Sequence, residues 1–136
     1  MSGSSAPSPL VIDASALVEL LLRTIKGERV ERAVGAADLA APDLVNAEVM
    51  QGLRGLERGG KLTAARAGRA IARLSESSIW QVPTGTLVRE AWSMRANFSA
   101  YDACYLALAR ALGCPLLTTD RRLTRAPEVG VTLICI

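Results

Sequence analysis

The sequence predicts a single α/β domain with a mainly parallel central sheet and helices on both faces. Three observations carry that prediction. Short aliphatic runs alternate with helix-periodic segments from residue 9 to the end of the chain, which is the pattern of successive β–α–β units. The length, 136 residues, suits one compact domain. Half of the residues are hydrophobic but only 4% are aromatic, so Leu, Val, Ile and Ala must fill the core. Aliphatic side chains of that kind suit helices laid on a sheet.

The elements follow in order. "MSGSSAPSP" has neither a positive start nor an apolar stretch, so residues 1–8 are expected to be a polar tail and 9–136 the domain. "PLVID" (9–13) reads as a strand running into a helix, "ASALVELLLRTI", with Leu17, Leu20, Leu21 and Ile25 at helical spacing. A second short helix is expected over 27–37 and a short strand over "DLAAP" (38–42). Pro42 and Asp43 open a helix with an apolar stripe of Val45, Val49, Leu53 and Leu56, and Gly59–Gly60 stop it. Thr63 caps the next helix, 63–77, and "IWQVP" (79–83) is a strand. Residues 84–97 and 99–113 are expected to be helical, while "PLLTT" (115–119) and "VTLICI" (131–136) read as buried strands.

The totals exclude several chemistries. There is no histidine, which removes Ser-His-Asp and Cys-His catalysis, histidine-based zinc sites and the two-histidine kind of ribonuclease. Cys104, Cys114 and Cys135 show no CxxC spacing, and an odd count in apolar contexts is expected to mean reduced, buried thiols in a cytoplasm. No apolar run is long enough to span a membrane, since Asp13, Glu19, Asp102 and Arg110 interrupt the candidates. The net charge is +3, and all the basic residues except Lys26 and Lys61 are arginines, compatible with a phosphate-bearing partner.

Four acids fall at suggestive places. Asp13 ends the first strand and Asp120 follows the "PLLTT" strand, so both are expected at the carboxyl edge of the sheet, where ligands bind in such folds. Asp102 lies in the first turn of a helix expected to start at that edge, and Glu48 flanks the apolar stripe of its own helix. Each has a plain structural explanation: Asp13 as a helix cap, Asp120 in a turn, Ser99 to Asp102 as a capping box with Phe98 as its hydrophobic staple, Glu48 as a solvated residue. Their convergence argues for more. Four close carboxylates need a compensating cation, no lysine is near them, and hard oxygen ligands favour Mg²⁺ or Mn²⁺. With these four of the 13 acids gathered in a site, nine remain against 16 basic residues, a negative hole in a positive surface. Metal-dependent phosphodiester chemistry is the expected use.

These stretches also resemble a known family. "VIDAS", "NAEV", "SAYDACYLALA" and "LLTTDRRL" are similar to the PIN domain, and more closely to the VapC toxins of type II toxin–antitoxin pairs, from about residue 10 to the end. The resemblance implies a sheet ordered 3-2-1-4-5 and an endoribonuclease requiring Mg²⁺ or Mn²⁺, acting by a metal-activated water on tRNA or ribosomal RNA. It implies cut ends with a 5′-phosphate and a 3′-hydroxyl, a cognate VapB antitoxin and a homodimer. Its acidic quartet falls on Asp13, Glu48, Asp102 and Asp120, with Ser15 and Thr118 as hydroxyls supporting the carboxylates and Asn97 as a further supporting residue.

Single residues speak against two other readings. A phospho-accepting receiver domain wants a lysine after a late strand, but both lysines lie in the first half. A DxDxT phosphatase wants an aspartate where Ser15 stands. A degenerate domain that only binds RNA or a partner stays open at this point. Arg66, Arg69 and Arg73 are expected on a solvated helix face opposite Ala67, Ile71 and Leu74, and Trp80 and Trp92 in the core. Arg121, Arg122 and Arg125 could hold a phosphate or pair with a site carboxylate, and Tyr101 could stack on a base or pack on the sheet.

Overall fold

The computed structural model describes residues 8–136, so the expected tail lies outside the described residues except for Ser8. The backbone of Ser8 is tied to Asp38: its carbonyl accepts from the Asp38 N–H at 2.8 Å. The elements run β1 (Pro9–Ile12), α1 (Ala14–Leu22), α2 (Ile25–Val34), β2 (Asp38–Pro42), α3 (Val45–Arg58) and α4 (Ala64–Glu76). There follow β3 (Trp80–Val82), a 3₁₀ turn (Thr84–Leu87), α5 (Val88–Trp92), α6 (Ala100–Leu112), β4 (Leu116–Thr118), two 3₁₀ turns and β5 (Leu133–Cys135). All four strand pairings are parallel, in the order β3-β2-β1-β4-β5. The order expected from the family resemblance is the one found.

Parallel pairing aligns the strand carboxyl ends. β1 is central and its Leu10, Val11 and Ile12 are buried, as a strand covered on both faces must be. The alanine-rich stretch after Asp102 has the same cause. Ala103 through Ala109 of α6 are all buried, so this helix is enclosed by its neighbours on every side. Small side chains allow that close approach. Thr63 and Ser99 cap α4 and α6 through their hydroxyls, as expected, and Phe98 beside Ser99 is buried.

Several expectations need correction. The first helix does not continue to Ile25. Arg23 turns left-handed (φ 56°) and Thr24 caps a new helix by accepting from the Gly27 N–H, which leaves Ile25 83% exposed. Only 88–92 of the 84–97 helix are α-helical. Beyond it the Ser93 and Arg95 side chains bond back to the Glu90 and Trp92 carbonyls, while backbone i→i−3 bonds tighten the chain into turns. Trp80 and Trp92 are not core: one lies on an edge strand, and the other faces solvent beneath the Arg95 guanidinium, 4.7 Å from the ring centre. β5 is likewise an edge strand paired on one side only. Cys135 is therefore exposed and Cys114 partly so, leaving Cys104 as the buried thiol. On α4 the buried positions are Ala67, Ala70 and Leu74, and Ile71 is exposed. Arg66 and Arg73 of that helix are not merely solvated, since they donate to the Leu22 and Leu21 carbonyls at the end of α1, which have no partner within the helix.

One glycine is required by close approach. A Cβ on the buried Gly27 would lie 2.1 Å from the Glu19 carbonyl oxygen. Gly27→Ala is expected to destabilise the fold by about 1–3 kcal/mol, the usual cost of overpacking, read as a lower thermal midpoint. An unchanged midpoint would mean that α1 and α2 separate freely.

Candidate metal centre

Asp13 follows β1 and is only 7% exposed. Its backbone N–H continues the sheet by donating to the Leu117 carbonyl at 3.1 Å. One carboxylate oxygen accepts from the Ser15 hydroxyl at 2.6 Å and from the Ala16 N–H at 3.0 Å, capping α1. The other accepts from the Thr118 hydroxyl. Thr118 is fully buried at the end of β4 and in turn accepts from the Asp120 N–H at 2.9 Å. A relay of N–H, hydroxyl and carboxylate thus ties Asp120 to Asp13 across neighbouring strands. Ser15 closes the network by accepting from the Thr119 N–H at 3.1 Å. The capping reading and the site reading of Asp13 are compatible, because the cap uses one oxygen and the other, bonded once by Thr118, keeps a lone pair.

Glu48, in the first turn of α3, is half-buried and accepts from the Tyr105 hydroxyl at 2.7 Å. Asp102 sits in the first turn of α6, its N–H donating to the capping Ser99 hydroxyl at 3.1 Å. Asp120 caps the 3₁₀ turn Arg121–Leu123 and is gripped by Arg122, whose Nε and Nη2 reach its oxygens at 2.8–3.1 Å. Of the two roles left open for the arginine run, the pair with a site carboxylate is the one Arg122 takes. Arg125 instead donates to the Asn97 carbonyl at 3.3 Å, Asn97 is exposed, and Arg121 faces solvent.

The electrostatics connect the four acids. Burial raises the carboxyl pKa of Asp13, and the charge of Asp102 adds to it against the lowering by Ser15 and Thr118. Burial also raises Glu48, with repulsion from Asp102 and Asp13. Asp102 rises through burial and the charge of Asp120. Only Asp120 is lowered, by its hydrogen bonds from Arg122. Among the described residues Arg122 is the one basic side chain bonded to any of the four. Among the described residues no three acids stand close enough together to hold an ion. The donor set still fits a hard divalent cation: all its ligands are carboxylate oxygens, and Asp13, Glu48 and Asp102 have no basic side chain bonded to them among the described residues.

Tyr105 was overlooked as a site residue because a tyrosine among "ACYLALA" reads as core, which it also is, at 2% exposure. Its signal was its place three residues after Asp102 on one helix side. Burial and the neighbouring Glu48 carboxylate raise its pKa beyond the physiological range, so it is a permanent donor. Tyr105→Phe is expected to fold and to weaken divalent-ion binding about tenfold, the usual effect of losing a partner that orients a ligand. Calorimetric titration with Mn²⁺ reads this, and unchanged affinity would reduce Tyr105 to packing.

Comparison with known proteins agrees with the fold. The PIN domain family model matches residues 10–129. Ribonuclease VapC9 of Mycobacterium tuberculosis is 39% identical over 115 residues, covering 85% of this chain and 88% of that protein. Among solved structures, a Pyrobaculum aerophilum protein superposes with a TM-score of 0.65 at 26% identity, covering 94% of this chain and 92% of its own. Mycobacterium tuberculosis VapC20, described as a sarcin-ricin loop cleaving toxin, shares the fold at 18% identity with a TM-score of 0.63, covering 93% of this chain and 99% of its own. The chain belongs to the PIN-domain family and, within it, to the VapC ribonucleases.

Proposed function

We propose that this chain is a divalent-metal-dependent endoribonuclease, the toxin of a type II toxin–antitoxin pair, with Asp13, Glu48, Asp102 and Asp120 as its metal ligands. The observation that carries the site is the hydrogen-bond relay through Thr118 and Ser15 that ties Asp120 to Asp13 across neighbouring strands, with the charge of Asp102 close enough to act on both Asp13 and Glu48. A degenerate, non-cleaving domain is less well supported, since every acid of the quartet is present and the relatives are named ribonucleases.

Mg²⁺ or Mn²⁺ bound there would activate water and neutralise charge on the phosphate. The protein's own part is positioning. Ser15, Thr118 and the Ala16 N–H hold both oxygens of Asp13, and Tyr105 holds Glu48. Four carboxylates beside the scissile phosphate repel RNA unless a cation is present, so substrate binding and metal binding are coupled. Arg122, 87% exposed at its side chain, can leave Asp120 and meet a flanking phosphate. Asn97 remains a proposed supporting residue.

Among the described residues no helix is long and apolar enough to cross a membrane, and a cytoplasmic location is part of the proposal. So are a VapB-type antitoxin and a homodimer. Val88 and Trp92, one helical turn apart on α5 and both exposed, are a suitable apolar contact for a second copy. The test of function is incubation of host total RNA with the purified protein in Mg²⁺, Mn²⁺ or EDTA, followed by mapping of ends. Discrete metal-dependent cuts with 5′-phosphate ends are expected; metal-independent or absent cleavage by the folded protein would overturn the proposal.

A further inference from the structure

Tyr101 precedes Asp102 and is 62% exposed, so it does not pack on the sheet. It stands one turn before Tyr105, on the same side of α6. Tyr105 reaches Glu48, and Tyr101 accordingly borders the next stretch of α3 toward the surface. Together with Ala47, Glu48 and Gln51 it lines an open pocket of about 420 Å³, within the range of small-ligand sites, about 300–1,000 Å³. The Gln51 amide is exposed and has no hydrogen-bond partner among the described residues. An aromatic face and a free amide thus adjoin one of the four acids.

We infer that this pocket is a stacking subsite for one unpaired nucleobase next to the cleaved bond, with Tyr101 as its platform; this rests on the ribonuclease reading above. The lining selects the occupant: a flat uncharged base covers the exposed phenol ring and offers its edge to the Gln51 amide. Continuity with the metal centre makes the substrate itself, rather than a remote partner, the molecule that fills the pocket during turnover.

The test measures binding of a short fluorescent single-stranded RNA, and of an abasic ribose-phosphate strand of equal length, with Ca²⁺ as the only divalent ion. Stacking one base on an aromatic ring is worth roughly a five- to 150-fold change in affinity. Tyr101→Ala is expected to weaken RNA binding about tenfold while leaving the abasic strand unchanged. Tyr101→Phe, which keeps the ring, is expected to bind as wild type does, and this variant separates stacking from a folding defect. Equal losses on both strands, or no loss on RNA while wild type still cuts RNA, would overturn the subsite alone. Loss of binding to a copurified protein partner with RNA binding intact would also overturn it and assign Tyr101 to that interface. A wild-type protein that neither binds nor cuts RNA would instead sink the ribonuclease reading.

Discussion

Asp102→Asn is expected to lower RNA cleavage by about 10³-fold, the scale on which removal of a preorganised charge at a reacting centre acts. It is expected to do so without loss of fold. Asp102 makes its structural contribution through its backbone N–H, which caps α6 by donating to Ser99 and is retained in the variant. Its carboxylate, raised in pKa by burial and by Asp120, is a source of repulsion in the metal-free protein. The metal-free variant should therefore melt no lower than wild type. Together, unchanged stability and lost cleavage separate a catalytic carboxylate from a structural one. Wild-type cleavage rates in the pure variant, or a lower melting point, would remove Asp102 from the metal centre.

A divalent cation should stabilise the protein, and more so as pH rises. In the unfolded chain Asp13 and Asp102 ionise near 3.8 and Glu48 near 4.5. Folding raises all three, so each contributes stability below its unfolded value that is lost as pH climbs through the folded value. Asp120 runs the other way: lowered by Arg122, it contributes above its unfolded value and loses this as pH falls through its folded one. The three raised groups outnumber the lowered one. Their contribution to the metal-free protein should therefore decline as pH rises above the unfolded values of 3.8 and 4.5. Mn²⁺ at 100 times its dissociation constant adds about 2.7 kcal/mol, a rise in melting temperature of roughly 9 °C for a domain of this size. Melting curves across pH, with and without Mn²⁺, read both effects. A pH dependence unaltered by saturating Mn²⁺ would show that the ion binds somewhere other than these acids.

Much of this was legible in the sequence, for identifiable reasons. The strands read over 9–13 and 38–42, found at 9–12 and 38–42, follow from short aliphatic runs with clear stops, and the alternation implies the parallel sheet. Asp13 and Asp120 were placed by one rule, that strand ends share an edge. The failures have equally local causes. The break at Arg23 depended on Thr24 recruiting the Gly27 N–H, a choice that periodicity does not register because Ile25 keeps the apolar spacing. The loss of helix after Trp92 came from side chains competing for carbonyls. Trp80 and Trp92 were misplaced because hydrophobicity says nothing about whether a neighbour exists to cover a side chain. At the site, the acids and the hydroxyls of Ser15 and Thr118 could be named, but not the other partners. That Tyr105 serves Glu48, and that Arg122 rather than Arg121 or Arg125 takes Asp120, depends on contacts between residues up to 57 positions apart and on rotamers.

With a divalent ion bound, Asp13, Glu48, Asp102 and Asp120 are expected to close around it. A crystal structure grown with Mn²⁺, read by its anomalous signal, tests this most directly. The expected result is Mn²⁺ within about 2.0–2.3 Å of carboxylate oxygens drawn from Asp13, Glu48, Asp102 and Asp120, with Arg122 displaced from Asp120. A protein saturated with Mn²⁺ that shows no peak among these residues, with Arg122 still paired to Asp120, would contradict it.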